Sequence, residues 1–170
     1  MRRKRLDAMQ CPIARSLDRV GEWWSILILR DAFHGMTRFD QFQQSLGIAP
    51  NMLTRRLAGL VEDGLLERRR YSDKPPRDEY ALTKRGRDFW PVLLSFMNWG
   101  NRHFAPEGPS VLLVDRESGK PVKPVLVDAN TGERISEARH KLAPGPAAGE
   151  RIRRRLAGRP LADPPAEAAP

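Results

Sequence analysis

Asn51, Thr54 and Arg55 bring an amide, a hydroxyl and a guanidinium close together in the segment IAPNMLTRRLAGLVEDG. Side chains of these types hydrogen-bond base edges when one face of a helix carries them into a major groove. Shortly downstream, Arg68, Arg69, Arg70, Lys74 and Arg77 stand against the single acid Asp73 within residues 68–77. Cations so clustered suit phosphate oxygens, where they fix register and add salt-sensitive affinity without reading sequence. Arg38 and Arg56 join them as phosphate candidates. Any one arginine is more often simply a solvated surface charge, but a basic run directly following a basic helical face favours a polyanionic partner.

The elements around these residues can be read from apolar spacing. Ile13, Leu17 and Val20 recur at helical intervals before Gly21, and EWWSILILRDAF is apolar enough for a buried helix. Thr37 is the expected N-cap of a short helix carrying Phe39, Phe42 and Leu46, with Gly47 at its C-cap. Pro50 suits a first helical position, and Met52, Leu53, Leu57, Leu60 and Val61 form one stripe ending at Gly64. LLERRRYSDKPPRDEYALT then reads as two strands about a polar turn, and Lys84 to Phe104 as a long amphipathic closing helix kinked or broken at Pro91. Two helices joined by the tight SLGIAP connection, the second followed by a basic hairpin, are what a winged helix-turn-helix requires. The exposed N-terminal turns of the second helix then hold the base-reading set.

Composition agrees. The 170 residues carry a formal charge of +9, which favours nucleic acid or an acidic surface. Residues 1–104 hold 19 basic and 12 acidic side chains, while ten of the fifteen prolines fall later, so the basic body ends near Pro106. No stretch is long and apolar enough for a membrane span, and the residues after MRRKR are too polar for a signal-peptide core; a cytoplasmic protein without membrane contact is expected. The one cysteine, Cys11, excludes an internal disulfide and a cysteine-rich zinc site within one chain.

Over residues 10–104 the sequence resembles the HxlR-type transcriptional regulators. The resemblance is carried by CPIARSLDRVGEWWSILILRDAFHGMTRFDQF, by LGIAPNMLTRRLAGLVEDGLLERRRYSDKPPRDEYALTKRG and by the terminal FMNWG. It implies a homodimer, paired mainly through its first and last helices, on double-stranded DNA with a pseudo-palindromic operator whose half-sites lie about 34–36 Å apart. Two departures from the family pattern stand out. Glu22 and Trp23 stand where a glycine and a lysine are frequent, and Ala49 replaces a capping serine, a loss of about 1 kcal/mol to the helix unless another group caps it.

Cys11 sits where relatives often carry a cysteine, and a helix start at Pro12 or the charge of Arg15 would lower its pKa, as oxidant or electrophile sensing requires; a buried inert thiol is the commoner state. Trp23, Trp24, Phe89, Trp90, Phe96 and Trp99 are either a pocket for an aromatic effector or, more commonly for such stripes, core and dimer seam. Beyond the body, VLLVDRESGKPV (111–122) is echoed by PVLVDANTGERI (124–135), which reads as two hairpins. Some relatives carry a zinc-ribbon-like extension there. With Asp115, Ser118, Asp128 and Thr131 in place of cysteines, a metal-free remnant without cofactor is expected.

The expected fold class is mainly α with a small β wing, plus this β extension. Its organisation is a basic arm at 1–9, the DNA-binding and dimerising domain at 10–104, the extension at 105–142, and a disordered Pro/Ala/Arg-rich tail at 143–170 contributing a weak DNA contact. An enzyme is disfavoured, since no phosphate loop, HExxH or GxSxG occurs and His34, His103 and His140 lack metal-ligand spacing. The rival reading is a winged domain used only for protein contacts, which leaves the basic wing without a role.

Overall fold

The computed structural model describes residues 11–157; the expected basic arm at 1–9 and residues 158–170 of the tail lie outside them. Helices α1 (Pro12–Val20), α2 (Trp23–Phe33), α3 (Phe39–Leu46) and α4 (Pro50–Glu62) precede an antiparallel hairpin of β1 (Leu66–Asp73) and β2 (Pro76–Leu82). A short α5 (Lys84–Arg87), α6 (Trp90–His103) and α7 (Glu150–Ala157) follow. This is a winged helix-turn-helix with a two-stranded wing.

The core explains the arrangement. α2 buries Ile28 and Leu29, around which gather Phe42 of α3, Leu53, Leu57 and Leu60 of α4, and Leu65 and Leu66 at the root of the wing. Each such burial contributes roughly 1.5–3 kcal/mol, so the helix-turn-helix, α2 and the wing root are held by one shared apolar cluster. Gly47 makes the tight turn between α3 and α4, adopting the left-handed conformation at φ 59° that costs a side-chain-bearing residue about 1–2 kcal/mol. Ile48, beside it, drops its side chain into the core.

Three sequence expectations are corrected. The N-cap of α3 is Arg38 rather than Thr37, because the Thr37 carbonyl accepts from the Tyr80 N–H at 2.7 Å and Arg38 pairs with Glu79, adding a one-residue edge to β2. The Gln41 Oε1 closes that helix start by accepting from both backbone N–H groups, of Thr37 and Arg38, at 3.0 Å. The closing segment takes the second of the two courses expected at Pro91, a break into α5 and α6, since Pro91, at the start of α6, cannot donate a backbone hydrogen bond and its ring would clash with a preceding carbonyl. The tail is not structureless throughout: residues 150–157 form α7, in which Ile152 and Leu156, four residues apart, are partly covered on one side. Finally, the two repeats at 111–122 and 124–135 form tight turns closed by single bridges, Val114 to Pro121 and Val127 to Arg134, rather than laddered hairpins.

In those turns Asp115 accepts from the backbone N–H of Ser118 and Asp128 from that of Asn130. Both carboxyls are held below the usual range by these backbone donors. Among the described residues no group of three or more His, Cys, Asp or Glu side chains is arranged to hold a metal ion.

Candidate nucleic-acid interface

α4 separates its residues cleanly by face. Leu53, Leu57 and Leu60 are buried, while Asn51, Thr54 and Arg55 are exposed together on the opposite side of its first two turns. Ala49 supplies no side-chain cap; the Asn51 Oδ1 instead accepts from the Met52 N–H at 2.7 Å. That contact leaves the Asn51 amide nitrogen able to donate outward. Thr54 donates back to the Pro50 carbonyl at 2.9 Å, which leaves its oxygen to accept, and the Arg55 guanidinium rests against the Met52 sulfur at 2.9 Å. The three predicted base-readers therefore form one solvent-facing constellation carrying both donors and acceptors.

Arg56 does not belong with them. Its Nη2 reaches Glu22 Oε2 at 2.9 Å, its side chain is only 19% exposed, and its Nε is buried without a partner in the protein. The reason is geometric: one residue beyond Arg55 the helix has turned back toward α2, whose N-cap is Glu22. The phosphate role expected for Arg56 is thus replaced by a tie between α2 and α4. Glu22 is one of the positions at which the sequence departs from the family pattern, and here it meets its counter-charge.

The wing is more guarded than a count of its arginines suggests. Register pairs Arg68 with Tyr80 and Arg70 with Asp78, so these four residues share one face of the hairpin. Asp78 accepts from the Arg68 Nε at 2.9 Å and from the Arg70 Nε at 2.8 Å, and also contacts Arg68 Nη2. The two guanidiniums hold the Asp78 carboxyl below the usual carboxylate range, Arg68 most strongly. On the opposite face Arg69 pairs with Glu67. Among the described residues Lys74 and Arg77, near the tip, are exposed and have no ion-pair partner. Over residues 67–79 five cations meet four carboxylates, leaving the hairpin only slightly positive. Arg38, at the N-cap of α3, lays its guanidinium over the Tyr71 ring 4.8 Å from its centroid and so sits against the side of the wing. Tyr71 and Asp78 were not singled out from sequence; the cross-strand register that exposes their roles is settled by the bulge between Arg70 and Ser72.

The aromatic set is not gathered into one pocket. Trp23 packs on Trp24 with centroids 5.3 Å apart and is 69% exposed; Trp90 lies against Phe33; Trp99 stacks edge-on to Phe104. Phe89 packs against the core, and with Phe96 it lines an apolar groove between α1 and α6. Cys11 occupies the N-cap of α1. The backbone N–H of Ala14 favours its thiolate and holds the thiol below its ordinary pKa; burial opposes this, and the Arg155 guanidinium of α7 adds to it. Arg15, proposed for that role from sequence, is not among the causes.

Comparison with known proteins agrees with this geometry. The family model described as HxlR-like helix-turn-helix matches residues 19–108. The chain belongs to the HxlR-like helix-turn-helix family. An uncharacterized HTH-type transcriptional regulator of Mycobacterium tuberculosis is 42% identical over 135 residues, covering 79% of this chain and 85% of the relative. Among solved structures, PA1607, described as a transcription factor, superposes with a TM-score of 0.73 at 41% identity over 81% of this chain and 96% of its own. PA1374 of Pseudomonas aeruginosa, similarly described, has a TM-score of 0.62 at 56% identity, covering 86% of this chain and all of its own. Both structures cover more of this HxlR-type regulator than the residues 19–108 matched by the family model. Among the described residues no helix is long and apolar enough to cross a membrane.

Proposed function

We propose that this HxlR-type regulator binds double-stranded DNA sequence-specifically as a homodimer, with Asn51, Thr54 and Arg55 reading base edges in the major groove. Arg38, Lys74 and Arg77 hold phosphates directly, and Arg68, Arg69 and Arg70 do so from within their ion pairs. The observation that carries this reading is the solvent-facing polar constellation at the start of α4, opposite its buried leucines and next to a hairpin whose tip bears unpaired cations. A winged domain serving only protein contacts gives that constellation no use.

The dimer reading is supported by apolar exposure on the first and last long helices. Ile13 on α1 is 68% exposed and Phe96 on α6 is 52% exposed, and they face the same groove of about 500 Å³. Pairing two copies there would take these exposed apolar side chains out of water. The paired copies then present two α4 helices to a two-fold pseudo-palindrome. Cys11, with its thiolate favoured at a helix N-terminus, is the thiol through which an electrophile or oxidant would act on operator affinity.

Selection of duplexes from a random pool tests the central reading. A two-fold motif with half-sites about one helical turn apart, roughly 34–36 Å, and affinity falling steeply with salt is the expected result. Failure to bind any duplex in dilute buffer overturns it. For Cys11, a Cys11→Ser protein whose operator affinity still responds to peroxide as the natural protein does would remove the thiol from the mechanism.

A further inference from the structure

α6 presents three stripes, and only two are explained so far. Phe89 and Leu93 meet the core, and Val92 and Phe96 line the α1 groove. The third stripe, including Leu94, Asn98 and Arg102, faces the extension across a separate cleft of about 680 Å³. Leu94, Val125, Leu126 and Ile135 give that cleft apolar walls, and Arg102, Lys123 and Arg134 bring three cations to it. Among the described residues no carboxylate lines it and none of the three cations has an ion-pair partner. The Asn101 amide donates to the Val111 carbonyl at 2.9 Å, joining α6 to the extension beside the cleft.

An anion with an apolar body meets each part of this surface. Its charge would find unpaired guanidiniums able to donate two parallel hydrogen bonds, and its body would cover side chains now open to water, Leu126 being 64% exposed. The volume lies within the range of small-molecule sites. Duplex phosphates are a poorer match, because a phosphate contact has no use for a concave apolar wall. A second copy is better accommodated at the α1 groove, which occupies a different stripe of the same helix.

We propose that the cleft between α6 and the extension binds a small organic anion with an apolar or aromatic body, of the aromatic carboxylate or sulfonate class. The aromatic side chains singled out from sequence do not form this site. Binding itself does not depend on the DNA-binding reading. Its regulatory consequence does: an occupant clamping the extension onto α6 changes the surface beside the dimer seam and so biases the spacing of the two α4 helices.

The test is fluorescence titration of the full chain, without DNA, with 8-anilino-1-naphthalenesulfonate as the probe. One saturable site per chain is expected, weakened about tenfold or more in an Arg102→Gln/Arg134→Gln protein by loss of charge-assisted hydrogen bonds. The corresponding Arg102→Lys/Arg134→Lys protein should retain most of the affinity, and uncharged N-phenyl-1-naphthylamine should bind about tenfold more weakly than the sulfonate. If the double glutamine protein fails to give a cooperative melt, Lys123→Gln alone is read, with a loss of about threefold. Equal binding of charged and neutral probes, or binding indifferent to these cations, overturns the proposal. So does a glutamine variant that turns a dimer into a monomer, which would assign the cations to an interface between copies. So, too, does one that loses duplex affinity while keeping the probe, which would assign them to DNA. A wild-type chain that binds the probe but no duplex would leave this site standing and remove the function proposed above.

Discussion

Replacing Asp78 by asparagine tests how the wing meets DNA. Asp78 accepts hydrogen bonds from both Arg68 and Arg70, so in the free protein one carboxylate stands where a phosphate would stand in a complex. With five cations and four carboxylates over residues 67–79, removing that carboxylate doubles the net charge of the hairpin from +1 to +2. Each additional phosphate neutralised steepens the dependence of log affinity on log salt by about 0.9. Across a fourfold rise in salt, from about 50 to about 200 mM, that slope corresponds to roughly 3.5-fold extra loss for one half-site and roughly tenfold for a dimer. Asp78→Asn should therefore bind a labelled operator duplex more tightly at low salt, the advantage shrinking by about those factors as salt rises. Fluorescence anisotropy over that range reads both quantities. Asp73→Asn is the control, because it removes the same charge from the same hairpin at an exposed residue that holds no arginine; its slope should change by less than half as much. A slope unchanged or shallower in Asp78→Asn, or weaker binding at every salt concentration, would refute the reasoning. It would mean that Asp78 aligns the two arginines for phosphate instead of occupying them.

The remaining predictions follow from neighbouring contacts. Because Arg68 and Arg70 hold the Asp78 carboxyl below the usual range, its contribution is present above that range and is lost only as pH falls through the lowered value; operator affinity measured from pH 5 to pH 8 should therefore not reproduce the Asp78→Asn effect. Arg55→Ala should relax operator preference in a selection experiment, whereas Arg69→Ala should weaken all duplexes about equally. Arg56→Ala leaves Glu22 at the α2–α4 junction without that partner, so it should lower the melting temperature while leaving the salt slope of DNA binding unchanged. Gly86→Ala places a Cβ 2.1 Å from the Leu65 carbonyl oxygen and 3.1 Å from Leu82, and denaturant titration should show a loss of about 1–3 kcal/mol or more. With its thiolate favoured, Cys11 should alkylate faster than a free cysteine at neutral pH; the rate in Arg155→Gln should fall only partly, since the Ala14 N–H is the larger cause.

Much of the body was legible because its elements follow local rules. Pro50 and Gly64 bracket α4, Gly47 ends α3, and the stripe Leu53, Leu57 and Leu60 faces inward as its spacing requires. The exposure of the proposed base-reading set followed from the same stripe, those residues being what is left on the other face. The errors concern contacts between segments. Thr37 has the chemistry of a cap, but tertiary pairing with Tyr80 claims its carbonyl and moves the helix start by one residue. Arg56 is basic and adjacent to Arg55, yet only the position of Glu22, 34 residues away, reveals that it turns inward. Arg155 lies 144 residues from Cys11, and no local pattern in the sequence links the two.

The aromatic residues show the same boundary from the other side. Helical spacing placed Phe89, Phe96 and Trp99 largely on one side of the closing segment, but spacing cannot say whether a stripe meets a core, a second copy or a ligand. The structure divides α6 by stripe: Phe89 is partly buried against the core, Phe96 opens onto the α1 groove, and Leu94 with Arg102 opens onto the extension. A single helix thereby touches the DNA-binding core, the proposed dimer seam and the proposed anion cleft. Any ligand that shifts α6 by a fraction of a turn must repack all three surfaces, because close-packed side chains exchange between discrete fits and do not deform continuously. In the proposed dimer, this physical link would couple the extension to the spacing of the two α4 helices, a role that its sequence does not reveal.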